Sequence, residues 1–492
     1  MTAMSPTSTT SSTGSTEAGG VGPQAASPPP GVRAWAVVLA SSIGQFLVVL
    51  DVSVMNVALP SIREGLGLSP SSLQWVVNAY ALTFAGFLLL GGRAADLYGR
   101  KAVYLVGVGL FTGASLAGGL APGSETLVVA RAAQGVGAAV LAPVTLSMLT
   151  AVFPEGPART RAIATWAAVG TAGGAAGGLI GGVLTELLSW RWVLLINVPI
   201  GAVVIALVAV WLREQGDGRQ GHRALDLPGA ALVTAGVGAL AYGIGQSESH
   251  GWTAAGTLLP LAGGLVALAA FVAVEARSAE PLVPLRLFRL RSVSAGNVVT
   301  LVGMVGSFAM WYFLSLYMQN VLGYSAIRAG LSFLPHTLAV MVASKAAPRL
   351  MALLGNRTMI ATGALVTAAG FTWQGVVLEA GGTFPGSILG PGIVMASGIG
   401  LLLTPMTEAA TAGATPQEAG VVAGLVNTSR QIGGALGLSI LGAVSASAAG
   451  GHGAAVSAAH AADGYAATFF AAAGITGAAA LLVGLLPRAV RE

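Results

Sequence analysis

Hydrophobic residues run along this chain in fourteen stretches of membrane-spanning length, each separated from the next by a short polar or glycine- and proline-containing turn. A helix needs about 20 apolar residues to cross a bilayer at a rise of ~1.5 Å per residue. By that measure the spans fall at 34–58, 73–92, 102–121, 126–151, 162–187, 192–212, 228–247, 255–275, 293–321, 329–351, 357–378, 385–407, 420–446 and 465–487. The pattern predicts an all-α polytopic membrane protein. No loop between spans is long enough to hold a separate catalytic domain.

Composition sharpens the class. Hydrophobic residues make up 54% of the chain and charged ones 8%, with a mean hydropathy of +0.79, whereas a soluble domain carries about 25% charged residues. There is no cysteine, so disulfides and thiolate metal sites are excluded and redox chemistry says nothing of compartment. The net charge of +5 is almost all arginine, Lys101 and Lys345 being the only lysines. With the Ala- and Gly-rich background, this suggests a high-GC bacterial coding bias.

The polar segments set a topology. Residues 1–32 are mostly small or polar with many prolines, Glu17 being their one acidic side chain, and read as a disordered cytoplasmic tail. They lack the basic start and apolar core of a signal peptide. Arginine then falls on alternate loops: Arg33 before the first span, Arg100 and Lys101 after the second, Arg159 and Arg161 after the fourth, Arg213, Arg219 and Arg223 after the sixth. Arg277, Arg286, Arg289 and Arg291 follow the eighth, Arg349 and Arg357 flank the loop after the tenth, and Arg488 and Arg491 close the chain. Positive loops stay inside, so both termini are expected in the cytoplasm and the span count must be even.

The two ends of the chain also echo each other. Pro143 and Pro154 in and after the fourth span are eleven residues apart, as are Pro405 and Pro416 in and after the twelfth. Arg93 precedes Gly99 by six residues and Lys101 by eight, just as Arg349 precedes Gly355 by six and Arg357 by eight. Duplication accounts for both agreements. The expected organisation is two six-helix bundles, 33–212 and 278–492, with 213–277 inserted as a linker carrying two extra central helices.

Asp51 is an energetic anomaly in the first span. A carboxylate there costs several kcal/mol unless it is protonated, paired or bathed in a wet cavity. It lies nine residues, ~13 Å, inside Pro60, and Arg131 lies six residues, ~9 Å, inside Glu125. Both reference points face outside, so the two charges share a depth. We expect them to face one cavity and to interact, so that a proton on Asp51 frees Arg131; the alternative is a fixed ion pair that only orients helices.

Four segments carry a family resemblance. They are Leu50-Asp51-Val52-Ser53-Val54-Met55-Asn56-Val57-Ala58-Leu59-Pro60; Gly92-Arg93-Ala94-Ala95-Asp96-Leu97-Tyr98-Gly99-Arg100-Lys101; Arg131-Ala132-Ala133-Gln134-Gly135-Val136-Gly137; and Gly173 to Gly182 followed by Trp190-Arg191-Trp192 and Asn197-Val198-Pro199-Ile200-Gly201. Together they resemble the major facilitator superfamily, and within it the fourteen-span drug:proton antiporters, from residue 33 to 488. The resemblance implies a proton-coupling role for the Arg131 segment, a cytoplasmic loop signature at 92–101 and an antiporter motif in the fifth span. Ala94 and Leu97 stand where the family usually has Leu and Arg, which removes one partner for Asp96. Gly178 stands where Pro is usual, and glycine permits close packing without imposing a kink.

Other candidates follow from position. Gly92, Arg93, Asp96, Gly99, Arg100 and Lys101 place a tight turn and opposite charges at helix ends, suited to a conformational latch and equally to a topology signal. Gly173, Gly177, Gly178, Gly181 and Gly182 form a small-residue stripe for close packing or sliding. Gln45, Asn56, Asn78, Tyr80, Trp311, Gln134, Asn427 and Arg430 are cavity candidates; Glu408 is another, near enough to a span end to reach the interface instead. His452 and His460 lie in a small-residue loop and make a poor metal site.

Absences limit the function further. No Gly-x4-Gly-Lys-Ser/Thr loop exists for ATP, and no nucleophile constellation or filter sequence marks an enzyme or channel. We expect a proton-driven exporter of amphipathic organic molecules, cationic or neutral, that acts as a monomer in the lipid bilayer with no cofactor, metal or nucleic acid. A dedicated exporter of one endogenous product, a proton-coupled importer and a channel are the alternatives.

Overall fold

The computed structural model describes residues 34–153, 156–211, 225–278, 281–415, 418–449 and 457–487. The expected tail at 1–32, Arg33, His452 and the arginines at 213, 219, 223, 488 and 491 lie outside them. Fourteen of the described helical segments are long and apolar enough to cross a membrane.

The first bundle holds α1 (Ala34–Leu66), α2 (Pro70–Tyr98), α3 (Arg100–Gly119), α4 (Ser124–Val152), α5 (Pro157–Leu187), and a sixth span split into α6 (Trp192–Leu195) and α7 (Asn197–Trp211). A hairpin of α8 (Leu227–His250) and α9 (Ala255–Arg277) follows. The second bundle holds α10 (Arg291–Leu316), a span split into α11 (Ala326–Ser332) and α12 (Leu334–Leu354), α13 (Asn356–Val377), α14 (Gly390–Thr411), α15 (Ala419–Ala448) and α16 (Ala458–Leu482). With fourteen crossings, α1 begins and α16 ends on the same face, which we term the terminus side.

The first span does not stop near Pro60 as its sequence suggests. Helix α1 runs through that proline to Leu66. Pro60 has no N–H for the carbonyl of Asn56, four residues back, and in a membrane that carbonyl needs another donor. Ser315 on α10 supplies it: its hydroxyl donates to Asn56 O at 2.7 Å, and Gln319 Nε2 donates to Val57 O at 3.0 Å. Helix α1 is thereby pinned to α10 and its extension in the second bundle.

The duplicated turns have matching geometry. Gly99 and Gly355 both adopt positive φ, +87° and +78°, where a side chain would be strained. Two residues on, Lys101 Nζ donates to Ala209 O of α7 at 3.4 Å, and Arg357 Nη2 donates to Gly484 O beyond α16 at 3.0 Å. In each bundle the cation after the turn thus meets carbonyls at the end of the last helix, where positive charge is favoured.

The bundles meet along α2 with α15 and α5 with α11, and the hairpin packs on that first seam, α8 touching both α2 and α15. Leu82 of α2, Val237 and Ala241 of α8 and Ala435 of α15 share one buried cluster. At the terminus side Glu275 Oε2 accepts the Val283 N–H at 3.2 Å, tying the linker to α9. Leu282, Val283 and Leu287 then bury against Leu90 of α2 and Val422 of α15.

Candidate functional site

Asp51 is fully buried, and four helices converge on it. Arg131 Nη1 donates to Asp51 Oδ2 at 2.6 Å, while Gln134 Nε2 and Asn197 Nδ2 donate to Oδ1 at 2.6 and 3.0 Å. Arg131 and Gln134 are three apart on α4 and so share a face. Asn197 opens α7 just after the break in the sixth span, two residues before Pro199. Ser115 on α3 accepts from Gln134 and Asn197, and Arg131 Nε donates to Val76 O at 3.0 Å. A buried pair offsets its desolvation only when both partners are hydrogen-bonded in this way. The Tyr80 ring closes the network, 4.4 Å from the guanidinium carbon of Arg131.

Between the bundles lies a cavity of about 1370 Å³. Gln45 and Asn56 of α1, Tyr80 and Phe84 of α2, Trp311 of α10 and Asn427 of α15 contribute to its walls, which reach Gly92, Arg93 and Gly420 at the terminus side. The opposite side is shut. A Cβ built on Gly182 would come within 2.6 Å of Ala326 O, and one on Gly178 within 3.1 Å of Gly330 O. Only glycine lets α5 and α11 approach so closely. Glu186 Oε2 accepts the Ile327 N–H at 3.0 Å at the same seam.

The charge on the cavity wall has one sign. Arg93, Arg286 and Arg430 line it, and no Asp or Glu does among the described residues. Arg430 Nη2 donates to Leu403 O at 2.8 Å and Thr407 Oγ1 at 2.5 Å, while its buried Nε has no acceptor.

Residues 41–438 match the Major Facilitator Superfamily. The chain belongs to the major facilitator superfamily. It is 49% identical over 418 residues to the cephamycin export protein CmcT of Amycolatopsis lactamdurans, covering 85% of this chain and 86% of that one. It is 38% identical over 421 residues to the puromycin resistance protein pur8 of Streptomyces alboniger, covering 85% and 83%. A solved auto-inhibited peptide transporter of the POT family superposes with a TM-score of 0.65 at 17% identity, over 93% of this chain and 97% of that one, and shares the fold.

Within this major facilitator fold, the candidates divide. Asp51 and Arg131 are bonded to each other, but neither lines the cavity as expected. Depth was matched by counting residues, whereas facing depends on rotation: Val48, Val52 and Asn56 turn one side of α1 to the cavity, and Asp51 points to the other. Gln134 likewise belongs to the pair's network. Asn78 donates to Ser439 Oγ at 3.0 Å in the α2–α15 contact and does not line the cavity. Gln45, Asn56, Asn427 and Arg430 do line it. Glu408 is exposed on α14, away from it. Asp51 is fully buried and does not face the cavity, so its carboxylate is not on the wall a substrate would meet.

Of the 92–101 segment, Gly92 and Arg93 reach the cavity, Gly99 makes the turn and Lys101 meets α7. Arg100 is half-buried at the start of α3; the Asp96 side chain lies outside the described residues. The glycine stripe has two faces: Gly173, Gly177 and Gly181 pack on α1, and Gly178 and Gly182 on α11. His460 lies in the first turn of α16 and not in a loop; Ser457 caps that helix by accepting the His460 N–H at 3.3 Å, and its Oγ also lies 2.7 Å from Nδ1. Sequence reasoning missed Asn197 as a partner of Asp51 and Ser115 as the acceptor behind Gln134 and Asn197. Asn197 did leave a signal, a lone amide two residues before a proline in an otherwise apolar span.

Proposed function

We propose that this protein is a proton-coupled exporter of amphipathic drug-like or antibiotic molecules, working by alternating access across the cytoplasmic membrane. The observation that carries the reading is the cavity of about 1370 Å³ that reaches the terminus side and is closed opposite by the α5–α11 contact. Arginine on alternate loops supports placing the terminus side in the cytoplasm. The structure is then the inward-facing form, ready to load. Rocking the bundles about their seams would open α5 from α11 and close the terminus-side ends of α2, where Gly92 and Arg93 lie, and of α15, where Gly420 lies.

For coupling, Asp51 and Arg131 form the conditional pair. While Asp51 is charged its donors are all engaged; protonation removes one charge of the pair and frees Arg131, biasing the bundle toward its other packing. The proton gradient takes the place of a cofactor, and one chain encloses the whole cavity, which supports a monomer. A dedicated exporter of a single endogenous product is favoured as a second reading by the 49% identity to a protein named for cephamycin export.

Inverted membrane vesicles test the proposal. Imposing an inside-acid gradient should drive uptake of a cephamycin or puromycin by the wild type, and the Asp51→Asn variant should bind the compound yet fail to accumulate it. Full gradient-driven accumulation by that variant would remove Asp51 from coupling.

A further inference from the structure

We infer that the cavity is built for an anion, with Arg430 as the anchor for a carboxylate or comparable acidic group on the exported molecule. This rests on the export reading and narrows its substrate class. Of the three charged side chains on the cavity wall, Arg286 pairs with Glu418 at 3.0 Å and Arg93 stands at the terminus-side end. Arg430 is the one placed well inside a span, and it meets only neutral acceptors, Leu403 O and Thr407 Oγ1, both through Nη2. Its Nε is buried and lacks an acceptor.

A guanidinium withdrawn from water and left without an anion is costly. The two bonds through Nη2 tether α15 to α14, hold the plane of the group and use both Nη2 hydrogens; Nη1, which bonds no acceptor, is the donor left for a ligand in the cavity that Arg430 lines. A carboxylate oxygen there accepts a charge-assisted hydrogen bond from Nη1 and supplies the anion that the guanidinium lacks. Asn427, one turn before Arg430 on the same face of α15, and Gln431 add neutral donors to the wall. Tyr80, Phe84, Phe308, Trp311 and Phe333 line the rest and suit a planar or apolar body. Within the described wall a cationic drug would meet arginine and no carboxylate.

The charge of the cargo also decides how export is driven. An anion leaving while a proton enters moves charge inward on both legs, so an inside-negative potential adds to the pH gradient. A monovalent cation exchanged for one proton moves no net charge and gains nothing from the potential.

The test uses a matched pair of probes, a cephem carboxylate and its methyl ester, with binding to purified full-length protein and uptake into inverted vesicles both measured. Wild type should bind the carboxylate about tenfold or more tightly than the ester, the scale of a charge-assisted hydrogen bond. Arg430→Gln should erase that preference, and Arg430→Lys, which keeps the charge without the fork, should retain part of it. Carboxylate uptake should rise with an imposed potential more steeply than ester uptake. Preserved preference in Arg430→Gln, or no preference in wild type, would overturn the anchor while uptake of either probe left export standing. Arg430-dependent binding without uptake of either probe would instead sustain the anchor and refute export.

Discussion

Tyr80 covers Arg131. The ring centroid lies 4.4 Å from the guanidinium carbon, and the same side chain forms part of the cavity wall. The buried ion pair and the space for cargo are therefore neighbours separated by one aromatic ring. Substrate and proton need not meet; a molecule that displaces the ring changes the shielding of the pair behind it. The Tyr80 hydroxyl is buried without a partner, so the ring rather than the hydroxyl carries the contact.

It follows that Tyr80→Phe should cost about 1 kcal/mol or less in stability and leave coupling intact. Tyr80→Ala should lose about 3 kcal/mol or more and admit water to the pair. Proton entry into vesicles without any substrate should rise in the Ala variant alone. An Ala variant as proton-tight as wild type would show that Tyr80 is not the partition.

Removing one member of the pair should be worse than removing both charges. Arg131→Leu leaves Asp51 buried and unpaired, and is expected to destabilise by about 3–5 kcal/mol. Adding Asp51→Asn should recover at least half of that loss, since Gln134 and Asn197 remain to bond the amide. Unfolding followed in detergent checks both values; a double variant no more stable than Arg131→Leu would contradict the pairing energetics.

The far-side closure rests on Gly182. Gly182→Val places a Cβ within 2.6 Å of Ala326 O and should force α5 from α11, favouring the state open on that side. The chain has no cysteine, so labels at Leu187→Cys and Leu331→Cys report this distance without background. The Val variant should lengthen it, and Gly109→Ala, where an added methyl meets nothing within 4 Å, should not. An unchanged distance in the Val variant would show that this contact does not govern closure.

A pH effect is expected at the linker. The hydroxyl and N–H of Thr415, and then Arg286, hold the Glu418 carboxyl below the usual carboxylate range. A depressed folded pKa gives a contribution that is complete above the ordinary value of about 4.3 and fades as pH falls through the folded one. The protection factor for hydrogen exchange at Leu287, taken relative to intrinsic exchange at each pH, should be high at neutral pH and fall in acid, and Glu418→Gln should flatten that dependence. A dependence unchanged by Glu418→Gln would assign it to another group.

Several parts of the site were legible along the chain and others were not. The shared depth of Asp51 and Arg131 could be counted from Pro60 and Glu125, because rise per residue is nearly constant in a helix. Their azimuth could not, because rotation about the axis is set by what each helix packs against. The paired turns at Gly99 and Gly355 were visible as matching spacings; the carbonyls that Lys101 and Arg357 reach, over a hundred residues on, were not. The glycine stripe was plain in the sequence, yet its division between α1 and α11 needed the partner surfaces. Pro60 read as a stop because the donor that lets α1 continue, Ser315, sits 259 residues away.

Fourteen helices long and apolar enough to cross a membrane, and the few charges within them, could be read along the chain. Those outcomes follow from rules that act locally: the apolar length of each stretch, and backbone groups that lipid leaves only one another to bond. The burial of Asp51 inside the first bundle, the all-arginine charge of the described cavity wall and the opening of the cavity to one side emerge from the folded arrangement. Those facts depend on which face of each helix meets which neighbour, and that is fixed by packing between segments far apart in the chain.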